Sequence, residues 1–169
     1  KNPYYYDASM VRLNEIHYYP VSNVMTEDRM FRAGQLHLTS SFPTQKCPMY
    51  IEEKNPTFKI DPYMGTYFYR INTENKALSD VRVRKALAYS IDRKLLVDKV
   101  TQCGQIPAYS FTPPGSNGYQ PSTEIPYDPI LAKELIAAAG YSPENPFPKL
   151  EILFNTNEGH RKVALAIQQ

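Results

Sequence analysis

Fifteen prolines are spread unevenly along 169 residues: none lies between Tyr63 and Ile106, while nine crowd into residues 106–148. Proline fixes φ and removes a backbone donor, so the proline-free stretch is where regular structure can run, and the tail that follows must be rich in loops. Average usage would give roughly eight prolines and twelve glycines; this chain has 15 and 7. The length suits one ordinary domain or two pieces of a larger protein. With 42% hydrophobic and 21% charged residues, the chain can pack a core, and general disorder is excluded. No apolar run approaches the roughly 18 residues needed to span a bilayer. A net charge of +2 is too small to point to nucleic acid as a partner.

Residues 15–21 and 35–39 read as short strands from their Tyr, Ile and Val content, with a helix over 26–33 between them. Thr26 is the expected N-cap of that helix and Gly34 its C′ residue. Residues 57–72 form the longest strand candidate, broken at Asp61-Pro62. Beyond the break, Tyr63, Gly65, Tyr67, Tyr69 and Ile71 share one face; Met64, Thr66, Phe68, Arg70 and Asn72 share the other. Bulky groups on both faces predict at least partial cover on both sides. Two helices follow. Ser79 or Asp80 caps the first, with Val83, Ala86, Leu87 and Ile91 inward; Asp92 caps the second, with Leu95, Leu96 and Val100 inward and Gly104 at its end. Asp128-Pro129 opens the clearest helix, which Gly140 ends. Residues 150–154 read as an apolar strand, and residues 158–169 as a helix without a stop signal. Together with a start that carries neither Met nor signal peptide, this leads us to expect an internal piece of a longer chain.

The catalytic inventory is poor: there is no GxSxG, HExxH, GxxxxGK or GxGxxG. The pairs Glu27-Asp28 and Glu52-Glu53 read as solvated carboxylates, and His17 and His37 have no evident partner. Cys47 and Cys103 lack the spacing of a zinc site, so no metal or cofactor is expected. They could form one disulfide in an oxidising compartment, but sequence does not show that they meet. Arg82, Arg84, Lys85, Arg93 and Lys94 form one basic cluster, which reads as a solvated or salt-bridged helix face.

Two stretches carry binding chemistry. Residues 155–160 (Asn-Thr-Asn-Glu-Gly-His) join an apolar segment to a helix N-terminus, a junction where free N–H groups and short polar side chains face a crevice in open α/β sheets. Asn and Thr there offer both donors and acceptors, as a peptide backbone would require. Mere capping explains the same residues equally well. The tyrosines of 63–69 are core residues on the usual reading, yet Tyr also suits adaptable binding surfaces.

The ordered series of motifs resembles a known family. It runs through Asp61-Pro62-Tyr63-Met64-Gly65-Thr66-Tyr67-Phe68-Tyr69-Arg70-Ile71-Asn72, then Leu78-Ser79-Asp80-Val81-Arg82-Val83-Arg84-Lys85-Ala86-Leu87 and Ser90-Ile91-Asp92-Arg93. Ile106-Pro107-Ala108-Tyr109, Thr112-Pro113-Pro114-Gly115, Ala137-Ala138-Ala139-Gly140-Tyr141 and Phe154-Asn155-Thr156 follow. The chain is similar, over essentially its whole length, to the periplasmic oligopeptide-binding proteins of bacterial ABC importers, within the dipeptide/oligopeptide class of extracellular solute-binding proteins.

The resemblance implies an α/β, mixed-sheet, two-lobed periplasmic-binding-protein-like fold, of which this chain holds parts of two lobes. Residues 1–64 would end the first lobe and residues 65–169 would open the second, with a crossing near 63–65. It implies capture of extended oligopeptides by lobe closure, delivery to the permease subunits of an importer, and no enzyme activity. The location would be periplasmic, or extracellular and lipid-anchored. Tyr63 matches a crossing-strand tyrosine of the peptide cleft, and Asn155 and His160 match residues lining side-chain pockets, which tips the junction towards binding. Ser40 and Ser41 match a ligand-reaching loop on which relatives carry larger amides. Phe68 replaces a tyrosine, and Gly65 stands where enteric relatives have a bridged Cys, so that particular bridge cannot form. Two alternatives stay open: a binder of another solute (murein peptide, dipeptide or chelated metal), and a sensor module on a transcriptional regulator. A piece of such a fold is also expected to self-associate and to bind peptide weakly.

Overall fold

The computed structural model describes every residue except Lys1 and Pro62; the expected break at Asp61-Pro62 thus lies partly outside the described residues. Two compact units divide the chain, Lys1–Pro43 and Thr44–Gln169, a division that falls before the 63–65 segment.

The first unit is built around helix α1, Val24–Arg32. Its N-cap is Asn23, whose side chain accepts from the Thr26 N–H at 3.0 Å, so the helix starts before the predicted Thr26. Gly34 ends it at φ +74°, a conformation that costs glycine little. The Glu27-Asp28 pair, expected in solvent, is buried at 7% and 3% exposure. Glu27 Oε1 accepts from the Ser40 N–H (2.6 Å), the Ser40 hydroxyl (3.2 Å) and the Ser41 N–H (3.4 Å), which makes burial of a carboxylate tolerable. His17 also has a partner, with its Nε2 3.2 Å from Glu15 in an exposed pair.

The second unit contains helices α2 (Cys47–Glu52), α3 (Val81–Tyr89), α4 (Arg93–Leu96), α5 (Pro129–Ala138) and α6 (Glu158–Gln168). Asp80, Asp92 and Asp128 cap α3, α4 and α5 as predicted, accepting from the N–H groups of Arg82 (2.8 Å), Leu95 (2.9 Å) and Leu131 (2.9 Å). Helices α3 and α5 pack against each other, burying Val83 and Ala86 of one and Ala132 of the other. Hydrogen bonds at both ends show that they run antiparallel. The Asp128 N–H donates to the Tyr89 carbonyl (2.9 Å), joining the C-terminus of α3 to the N-terminus of α5. At the opposite end, the Arg82 guanidinium, paired with Asp80 at 2.6 Å, donates to the Ala138 carbonyl. That carbonyl belongs to the last turn of α5, where no intrahelical donor remains.

Three more members of the basic cluster are also engaged. Arg84 donates to the Leu78 and Ser79 carbonyls, Arg93 to those of Ala88 and Ile91, and Lys94 pairs with Asp98. Burial lowers the pKa of Arg93. Helix α4 runs on as a π-helical turn, Val97–Thr101, that packs against α6. Leu95, predicted to face inward, is 55% exposed, because the wider turn takes over the packing from Leu96 onward. Gly104 (φ +78°) follows, and a Cβ there would sit 3.0 Å from Ile60 Cγ2.

Cys47 and Cys103 form a disulfide, with Cα atoms 5.2 Å apart. It ties the first residue of α2 to the chain just past the π-helical turn and closes a loop containing residues 63–72. Cys47 is fully buried, and Tyr50 of α2 packs its ring on Phe58 at 5.5 Å.

Residues 15–21, 35–39, 57–72 and 150–154 do not form a sheet among the described residues. A strand exists only where its N–H and C=O groups pair with a neighbouring chain segment, and no such ladder is present among them. Cover on the two faces of 63–72 is only partial: Tyr63 is 87% exposed, and Met64, Tyr67 and Phe68 remain exposed, although Phe111 meets one face and His160 the other. Among the described residues, no helix is long and apolar enough to cross a membrane.

Candidate functional site

The predicted alternation along 63–72 survives without a sheet. Tyr67 and Tyr69 project to one side, with ring centroids 5.6 Å apart and hydroxyls 3.4 Å apart. Phe68 projects to the other and meets Phe111 edge-on at 4.9 Å, while the Thr66 hydroxyl donates to the Phe111 carbonyl at 2.7 Å. This second side anchors the segment on the loop around Phe111 and leaves the tyrosine side to be met from elsewhere.

The junction at 155–160 meets it. Asn157 caps α6, its Oδ1 accepting from the Gly159 N–H (2.8 Å) and the His160 N–H (3.2 Å). Asn155 Oδ1 accepts from the Asn157 N–H (3.0 Å) and lies 2.8 Å from His160 Nδ1. The imidazole of His160 stacks on Tyr67, with centroids 4.6 Å apart and planes 24° apart. Four side chains thus converge from two segments almost a hundred residues apart: Tyr67, Tyr69, Asn155 and His160. They combine flat apolar faces with hydroxyl, amide and imidazole groups, a set that can stack on a ligand and hydrogen-bond its polar atoms. Partial burial, the Tyr67 hydroxyl and its charge hold the Tyr69 pKa above the ordinary phenol range. Nothing in this group forms a nucleophile–base pair. Among the described residues, no three His, Cys, Asp or Glu side chains are placed to hold a metal ion.

Of the residues singled out in the sequence, Asn155 and His160 are brought together. Tyr63 lies on the same segment as Tyr67, but its ring folds over Gly65, where a Cβ would run into it. Ser40 and Ser41 belong to the other compact unit and are engaged with Glu27. Tyr67 and Tyr69 were not singled out as site residues. The available signal was their shared face with Tyr63 at strand spacing, but that pattern reads as core until His160 is seen to stack there.

Comparison with known proteins agrees on one family. The model of bacterial extracellular solute-binding proteins, family 5 (middle), matches residues 1–169. The periplasmic oligopeptide-binding protein OppA of Salmonella typhimurium is 33% identical over 99% of this chain and 32% of its own length. The periplasmic murein peptide-binding protein MppA of Escherichia coli is 34% identical over 98% of this chain and 32% of its own. The crystal structure of Haemophilus influenzae OppA complexed with RPPGFSPFR superposes with a TM-score of 0.71 at 36% identity, covering 87% of this chain and 30% of that one. The chain therefore shares the fold of part of the periplasmic binding proteins, and it spans about a third of the length of these relatives.

Proposed function

The chain belongs to family 5 of the bacterial extracellular solute-binding proteins, and we propose that it is part of the peptide-capturing component of an oligopeptide ABC importer. The observation that carries this reading is the His160–Asn155 pair stacked on Tyr67. It sets a polar, adaptable surface at a helix entry, beside a segment in which residues 66–71 make no main-chain hydrogen bond among the described residues. In this reading the peptide lies as an added strand, and its main-chain groups supply affinity whatever its sequence. Roomy, hydrated pockets, one of them lined by Asn155 and His160, accept varied side chains. Tyr63 contacts the ligand from the crossing segment. Ser40 and Ser41 rank below it, since Glu27 already accepts from both of their N–H groups and from the Ser40 hydroxyl.

Residues 1–64 and 65–169 would belong to two lobes that close on the peptide, with the crossing at 63–65. The extended segments 57–72 and 150–154 would complete a mixed sheet with strands supplied by the remainder of such a protein. The disulfide between Cys47 and Cys103 supports a periplasmic or extracellular location, where oxidised cysteines persist. Closed lobes would deliver intact peptide to the permease subunits, without turnover of the ligand.

A second reading, a binder of another small solute, draws on the murein peptide-binding relative. Calorimetry separates the two. The protein as its gene encodes it should bind unmodified tri- to pentapeptides of unrelated sequence, and His160→Ala should weaken that binding. No binding by any of these peptides, with binding of a murein peptide or a non-peptide solute, would overturn the proposal. The 169-residue chain alone is expected to bind them weakly.

A further inference from the structure

A histidine at a binding surface presents a donor or an acceptor according to which ring nitrogen carries the proton, and that is set by the partner of the other nitrogen. At His160 the partner is Asn155, whose own orientation is fixed independently. The Asn157 backbone N–H lies 3.0 Å from Asn155 Oδ1, and a backbone N–H can only donate. The carboxamide must therefore turn its oxygen, not its NH2 group, to this point; the reverse orientation would set two donors against each other. The same oxygen faces His160 Nδ1 at 2.8 Å. A carbonyl oxygen has two lone pairs and no proton, so Nδ1 must supply the hydrogen.

We infer that Asn155 is a positioning residue, which locks neutral His160 in the tautomer protonated on Nδ1 and leaves Nε2 as a bare acceptor for ligand. Among the described residues Nε2 makes no hydrogen bond, and no partially covered side chain there holds a buried polar atom without a partner. Nε2 is therefore not sealed from solvent. Three contacts hold the ring in this pose: the Asn155 oxygen on one edge, the Tyr67 face beneath it, and the Asn157 cap that fixes the His160 backbone. The consequence for recognition rests on the reading of this surface as a peptide cleft. Neutral His160 would accept from a peptide N–H or an ammonium group and would be mismatched to a carbonyl.

The lock itself is tested without any ligand, by 15N NMR of histidine-labelled protein at mildly alkaline pH, with the His160 signals assigned by their loss in His160→Gln. The wild type should show a protonated-type nitrogen at Nδ1 and an unprotonated-type nitrogen at Nε2. Asn155→Leu removes one hydrogen bond and should move the tautomer ratio roughly tenfold towards Nε2–H. Asn155→Asp keeps an acceptor and should restore the Nδ1–H form, a rescue that a merely structural role for Asn155 would not produce. A wild-type His160 protonated on Nε2, or a ratio unchanged in Asn155→Leu, overturns the inference whatever calorimetry says about peptides. Loss of peptide binding with the tautomer intact would instead count against the proposed function alone.

Discussion

The imidazole of His160 lies on the ring of Tyr67, 4.6 Å centroid to centroid, and so ties the start of α6 to a segment almost a hundred residues earlier in the chain. If this stack shapes a ligand surface, Tyr67→Ala should weaken peptide binding by about 1 kcal/mol, roughly fivefold in Kd. Tyr67→Phe keeps the ring and should stay near the wild-type value. Equal affinity for the Ala variant and the wild type in calorimetry would remove Tyr67 from the site.

The Cys47–Cys103 bridge closes a loop with a sequence separation of 56. Cross-linking a loop of that length restricts the unfolded chain by about 4 kcal/mol on the chain-entropy estimate. The loop also carries residues 63–72, so reduction should loosen the tyrosine segment as well as destabilise the unit. Chemical denaturation with and without reductant, repeated on a Cys47→Ser/Cys103→Ser variant, should show coincident midpoints for the reduced and double-Ser proteins, both well below that of the oxidised protein. An unchanged midpoint would contradict this.

Asp128 caps α5 and lies beside the bond from its own N–H to Tyr89 that ties α5 to α3. Asp128→Ala should cost about 1 kcal/mol, a fall in Tm of about 2–4 °C for a chain of this size. Asp128→Asn keeps an oxygen acceptor and should recover most of the loss. A thermal melt of the Ala variant that overlays the wild type would show that the cap contributes nothing.

Tyr69 holds its proton more tightly when folded than when unfolded, chiefly because partial burial disfavours the phenolate. A folded-state pKa above the unfolded value gives stability that is complete below the unfolded pKa of about 10 and is lost as pH rises through the folded one. The melting temperature should therefore fall as pH climbs above about 10, and Tyr69→Phe should flatten part of that fall. Superimposable pH profiles for the two proteins would rule the effect out.

What was legible in the sequence was local. Asp80, Asp92 and Asp128 cap N–H groups two or three residues away, and Gly34 closes α1 with a positive φ, so each signal and its effect lie within one turn. Even locally, Asn23 took the capping role from Thr26, since either side chain can cap and the helix simply starts earlier. Signals that depend on distant partners did not carry. Glu27 looked solvated because its donors come from Ser40 and Ser41, thirteen and fourteen residues on. The four strand candidates had the right composition, but pairing requires a second segment, and none is supplied among the described residues. Leu153, expected in an apolar strand, is 95% exposed for the same reason. At the candidate site, Asn155 and His160 were legible from their place before a helix, whereas Tyr67 emerged only from the fold.

If this surface captures peptides, native mass spectrometry of the protein as its gene encodes it, purified from its host without added ligand, should find them bound. Additional masses should dissociate as a mixture of short, intact peptides of varied sequence, reduced or absent in His160→Ala. A single non-peptide solute in their place would contradict peptide capture.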